Sequence, residues 1–243
     1  MAEERLLRVN GVDLGVTETG SGPPLLLIPG GGGCSDYMEP VAQQIDGFAT
    51  AYRVEPRGCG RSTHDGNYDL ATTLGDFEGL RRLLGIERWI MGGHSHGAFL
   101  ALAYALQHPE RASAVLYIAG AGLQNDRSWH AAYHAGREAG ADREVPAGTY
   151  RWNADCNEVA NADYKRYVRR RNLWSDVANL QAPFRAVHGE LDVRPVWPVA
   201  QLTALVPDGR LQIVPGAPHD LWYTHPRQLG AVLRDYLAEL GSR

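Results

Sequence analysis

At 243 residues with 44% hydrophobic content, the chain can bury a sizeable core as one domain carrying an insertion. A net charge of −4 gives no footprint for a nucleic-acid partner, and the basic run Lys165-Arg166 with Arg169-Arg170-Arg171 reads as a solvated helix face rather than a clamp for an acidic substrate. No stretch reaches membrane-spanning length, the first residues lack the apolar core of a signal peptide, and three widely spaced cysteines without C-x-x-C suit a reduced, cytoplasmic protein without a disulfide framework.

The chain opens with two short strands, Leu6 to Asn10 and Val12 to Thr19, around an Asn10-Gly11 hairpin signal. Pro24 to Ile28 is a continuous apolar run, as a strand buried on both faces requires. It ends in Pro29-Gly30-Gly31-Gly32-Gly33, followed by an expected helix from Ser35 to Ile45. Neither G-x-x-x-x-G-K-[ST] nor G-x-G-x-x-G is present, so a phosphate loop is not supported. The glycines read as an oxyanion loop aiming N–H groups at a substrate, with a flexible connector as the alternative. Ala49 to Val54 is the next strand, and the turn Glu55-Pro56-Arg57-Gly58-Cys59-Gly60-Arg61-Ser62, fixed by Pro and Gly, is assigned a structural role. Asp69 to Leu84 carries Leu70, Leu74, Phe77, Leu80, Leu83 and Leu84 at helical spacing on one expected face, with Gly85 as its cap.

Arg88 to Met91 is a strand that runs into Gly93-His94-Ser95-His96-Gly97, and a helical pattern continues to Gln107. This is G-x-S-x-G in its required setting of strand, sharp turn and helix, which makes Ser95 the candidate nucleophile. Ala112 to Ala119 is a further buried strand, and the alternation from Leu25 onward implies a parallel sheet with right-handed crossovers. The pattern breaks between Gly122 and Leu180, a segment rich in charge, Trp and Tyr with helical patches at Asp126–Ala139 and Asn157–Arg171. Such an insertion at the strand ends would lie over the site as a lid. The expected division is therefore residues 1–121 and 181–243 for the core and 122–180 for the lid. Alternation resumes with strand Phe184–His188, helix Val196–Leu205, strand Leu211–Val214 and helix Pro226–Leu240.

Catalytic groups of such sheets gather at the carboxyl ends of strands. A serine hydroxyl needs a base, imidazole serves near neutral pH, and a carboxylate fixes its tautomer. Asp192 follows one late strand and His219 the next, giving the chain order serine, acid, histidine of this kind of fold. Asp126 is the reserve acid, and Asp220 reads as a helix-start residue. His94-Ser95-His96 and the His130/His134 pair lack the remaining ligands of known zinc motifs, so no metal or other cofactor is expected.

Outside the insertion the chain resembles α/β-hydrolases of the proline iminopeptidase-like group. The likeness rests on Ser95-His96-Gly97 with Leu100 to Ala105 and His108-Pro109-Glu110-Arg111, on Arg57 to Ser62, and on Leu83-Leu84-Gly85-Ile86. It implies an α/β-hydrolase fold, a mostly parallel central sheet with helices on both faces; the short helical lid insertion here is shorter than the group's helical cap. It also implies Ser95 as nucleophile, Asp192 as acid, His219 as base, and the backbone N–H groups of Gly31 and His96 as oxyanion hole. The group's H-G-G-P-G loop stands here as Pro29-Gly30-Gly31-Gly32-Gly33, and Glu55-Pro56 replaces its Asp-Gln. The group's cap glutamates have no match among Glu138, Glu144, Asp155 and Glu158. The expected function is hydrolysis of an ester or amide in a small-molecule or short peptide substrate, with a small to medium, partly apolar acyl group. The alternatives are a proline-specific aminopeptidase and a non-hydrolytic ligand-binding protein on the same scaffold.

Overall fold

The computed structural model describes residues 2–124, 126–139 and 145–241. Two antiparallel strands lead: β1 (Glu3–Val9) and β2 (Val12–Gly20). Their turn residues Asn10 and Gly11 both have positive φ, 49° and 82°, the geometry that matches strand twist in a two-residue hairpin. β3 (Pro24–Ile28), β4 (Thr50–Glu55), β5 (Trp89–His94), β6 (Ala112–Ile118), β7 (Phe184–Gly189) and β8 (Gly209–Val214) complete the sheet. The strand order is β1-β2-β4-β3-β5-β6-β7-β8, and every pair from β4 to β8 is parallel.

Side chains alternate across the sheet. Leu26 and Ile28 face α2 (Leu70–Leu83) and α3 (His96–Gln107), while Leu25 and Leu27 face α1 (Glu39–Gln44) and α9 (Pro226–Gly241). Helix α3 is apolar all round, with Ala98 to Ala105 each at most 5% exposed, as expected of a central helix. Between β6 and β7 the alternation is interrupted by α4 (Arg127–Glu138), α5 (Ala154–Tyr167) and α6 (Leu173–Ala178); α7 (Trp197–Leu205) and α8 (Leu221–Thr224) follow later.

Two helix starts differ from the sequence-based expectation by three residues or more. The helix expected from Ser35 begins at Glu39, because residues 34–36 have other backbone partners. Cys34 forms a β-bridge with Trp152, Ser35 N–H donates to Arg151 O at 2.9 Å, and Asp36 N–H donates to Glu55 Oε1 at 3.2 Å. Helix α5 begins three residues before the expected Asn157, because the Asn153 side chain accepts from the Asp155 and Cys156 N–H groups. Leu83, expected on the apolar face of α2, lies off that face and is 53% exposed.

The chain leaves β3 for β4 on one side, and β5 pairs with β3 on the other. The switch point of the sheet therefore lies at the carboxyl ends of β3 and β5, where ligand crevices form. The glycine run and Ser95 emerge from these two ends.

Candidate active site

Ser95 stands between β5 and α3, as the N-cap of α3, with φ 56° and ψ −116°, a strained backbone for a residue with a side chain. The turn closes only because its neighbours are glycines. A Cβ on Gly93 would lie 2.3 Å from Gly97 backbone atoms, and one on Gly97 would lie 2.3 Å from Ile28 O. Ser95 N–H donates to Ile118 O at 2.8 Å, which ties the turn to β6.

Asp192 follows β7 and His219 follows β8, and the fold brings them together at 2.7 Å between Oδ2 and Nδ1. A carboxylate only accepts, so Nδ1 carries the proton and Nε2 is the acceptor face of the ring. The Asp192 side chain is fully buried and also accepts from Arg194 N–H at 2.8 Å and Arg194 Nη1 at 3.3 Å. Burial pushes its carboxyl up, but His219 and Arg194 outweigh this and hold it well below the usual range. Asp126, the reserve acid, is the N-cap of α4 and accepts from Trp129 N–H at 2.9 Å. Asp220 is the N-cap of α8 and accepts from Trp222 Nε1 at 3.3 Å.

His94 and Tyr37 also belong to this centre, which sequence reasoning missed. Gly30 N–H donates to the Tyr37 hydroxyl at 2.6 Å, and the hydroxyl lies 2.7 Å from His94 Nδ1. His94 Nε2 lies 3.0 Å from the His219 carbonyl oxygen, so Nε2 bears the proton and Nδ1 accepts from Tyr37. Burial, then the neighbouring His219, lowers the His94 pKa well below the ordinary value and keeps the ring neutral. One buried chain of hydrogen bonds thus runs from the glycine loop, past the residue preceding Ser95, to the backbone of His219. The only sequence signal was the histidine beside the serine, and it was weighed as a metal ligand. Among the described residues no group of three or more His, Cys, Asp or Glu is arranged to hold a metal.

Gly31 has φ 76°, and its carbonyl accepts from Asn157 Nδ2 at 2.5 Å. His96 is the first residue of α3, where helix N–H groups lack intrahelical partners. Burial takes the His96 imidazole down to about 4, partly opposed by Asp163. Ser95, Gly31 and His96 line one cleft of about 600 Å³, walled by Trp129, Tyr133, Trp152 and Tyr164. Of the acidic residues weighed in the insertion, Glu144 lies outside the described residues, and Glu138, Asp155 and Glu158 are not among the cleft's lining. The three cysteines, far apart in sequence, converge on a separate cavity of about 30 Å³ beside His96.

The α/β hydrolase fold profile matches residues 23–153, more than half of the chain. This chain is an α/β-hydrolase. It is 33% identical over 173 residues to a proline iminopeptidase of Xylella fastidiosa, covering 68% of this chain and 52% of the relative, so the match spans about half of that relative's length. It is 27% identical over 244 residues to a pimeloyl-[acyl-carrier protein] methyl ester esterase of Edwardsiella ictaluri, covering 87% and 92%. Among solved structures, an E-2-(acetamidomethylene)succinate hydrolase superposes with TM-score 0.77 at 22% identity over the whole of both chains. A proline iminopeptidase of Mycobacterium smegmatis gives 0.76 at 18% identity over 98% of each. These α/β-hydrolase relatives include both a peptidase and an esterase. No helix among the described residues is long and apolar enough to cross a membrane.

Proposed function

We propose that this α/β-hydrolase cleaves an ester or amide through an acyl-enzyme on Ser95. The observation that carries the reading is the 2.7 Å contact of buried Asp192 with His219 Nδ1, which leaves Nε2 to accept a proton. Ser95 Oγ bonds to the substrate carbonyl carbon as its proton passes to His219 Nε2. Gly31 and His96 N–H groups receive the developing oxyanion. The bond to the leaving oxygen or nitrogen breaks as His219 gives that atom the proton, releasing an alcohol or amine. Water then attacks the acyl carbon, its proton passes through His219 back to Ser95, and the carboxylic acid departs. Helices α4 to α6, within residues 122–180, act as the lid over this cleft.

The test is labelling with a fluorophosphonate and mapping of the adduct. Label on Ser95, lost in Ser95→Ala, is the expected result; a folded wild type that takes no label counts against an activated nucleophile. Ser95→Ala and His219→Ala each lower kcat/KM for p-nitrophenyl butyrate by about 10⁴-fold or more, and the double variant loses little further, because the residues act as a unit.

A second reading, an aminopeptidase that removes N-terminal proline, is favoured by the 33% identity to the Xylella protein. It requires turnover of proline 4-methylcoumarinyl amide. Brisk ester hydrolysis without that turnover removes it.

A further inference from the structure

Among the described residues, the side chains lining the cleft beside Ser95 that can be charged near neutral pH are all basic. Its lining holds Lys165, Arg194 and the imidazoles of His130 and His134, and no aspartate or glutamate among the described residues. Asp192, which pairs with Arg194 of the lining, has no exposed side-chain surface and is also engaged by His219. Asp220, next to His219, is not among the lining residues either.

Lys165 is the only lysine of the chain. It is exposed, and among the described residues it has no carboxylate partner, unlike its neighbour Arg166, which pairs with Asp163. Its position follows from helix geometry. Asn157, Asn161 and Lys165 recur every fourth residue on one face of α5, and all three line the cleft. Asn157 touches Gly31 at the base; eight residues on, Lys165 stands about 12 Å further along the helix axis. Arg194 faces the same space from the loop after β7, and its guanidinium lies 5.6 Å from the centre of the Tyr133 ring. Among the described residues, an ammonium group brought into this cleft meets cationic side chains and no lining carboxylate. Ser95 and Lys165 line the same cleft, so a carbonyl at Ser95 and a carboxylate at Lys165 can belong to one bound molecule.

We infer that the cleft selects acyl substrates bearing a carboxylate several methylenes from the scissile carbonyl, that is, monoesters or monoamides of medium-length dicarboxylic acids. The inference rests on Ser95 being the nucleophile for the reaction but not for binding. It replaces the apolar acyl group expected from the aromatic residues alone, which here serve as walls along the chain between its two ends.

The experiment compares the p-nitrophenyl monoester of adipic acid with p-nitrophenyl hexanoate, which differ only in the terminal carboxylate. At low ionic strength kcat/KM favours the adipate ester by about twofold to fivefold, the range for exposed ion pairs. The preference shrinks at 0.5 M salt, is retained by Lys165→Arg and reverses in Lys165→Glu. Adipate binding to Ser95→Ala protein, followed by calorimetry, reads the anion site without turnover and is lost on adding Lys165→Glu. Equal turnover of the two esters, with a ratio insensitive to salt and to Lys165→Glu, overturns the inference and leaves the hydrolase reading intact. Adipate binding that needs Lys165, with neither ester turned over, supports the anion site and removes the acyl-enzyme mechanism instead.

Discussion

At the residue scale the site is held by contacts that leave little room for substitution. Tyr37 joins the glycine loop to His94, so Tyr37→Phe leaves the Gly30 N–H and His94 Nδ1 buried without partners. It should cost about 1–3 kcal/mol in urea denaturation, the penalty for an unsatisfied buried group. Its effect on activity should fall on kcat more than on KM, because the loop and His219 are positioned rather than the substrate. Gly97→Ala should be worse tolerated, since its Cβ would meet the Ile28 carbonyl oxygen, a backbone atom that cannot swing away; loss of soluble protein or of fluorophosphonate labelling checks this. Ser95, Asp192 and His219 could be proposed from sequence because each stands just after an expected strand, in the chain order serine, acid, histidine. Tyr37 could not. It lies in irregular chain after four glycines, and its function depends on a partner 57 residues away.

At the scale of elements, the turn after β4 is locked to α2 by charge. Arg57 Nε and Nη2 reach the two oxygens of Asp76 at 2.9 and 2.8 Å, and Asp76 is 2% exposed. Arg57→Met removes one partner and leaves a buried carboxylate, so a loss of about 3–5 kcal/mol is expected from chemical denaturation. Arg57→Met combined with Asp76→Leu should recover most of it; a double variant as unstable as the single one would show that the ion pair is not the cause. The structural role read for Arg57 to Ser62 from Pro and Gly content was thus legible, but its mechanism was not, because no local pattern shows that α2 supplies the carboxylate. Helix starts divided in the same way. Asp69 caps α2 through Thr72 N–H within one turn and was visible, whereas the delayed start of α1 depends on a bridge from Cys34 to Trp152.

At the scale of the whole molecule, alternating strands and helices announced a parallel sheet, but not the order in which β3 and β5 become neighbours. That order brings the glycine run beside Ser95, and the fold holds His94 and His188 buried and neutral near two strand ends. The pKa values of His94 and His188 are lowered mainly by burial, and that of His96 falls from 6.5 to about 4. The unfolded chain binds protons on these rings below about pH 6.5 while the folded chain does not, so stability falls as pH drops through that range. His96 alone contributes a loss of about 2 kcal/mol by pH 5. The melting temperature should therefore fall steadily from pH 7 to pH 5, and His96→Gln should flatten the fall. The join between insertion and core has a different consequence. Ser35 N–H donates to Arg151 O, Arg151 N–H to Ser35 Oγ, and Asn153 N–H to Gly33 O, so the segment before α5 is stitched to the chain that follows Gly31. For anyone recombining such enzymes, residues 122–180 are not a cassette: a graft taken from a relative arrives with half of a seam, and the matching half is encoded more than a hundred residues upstream.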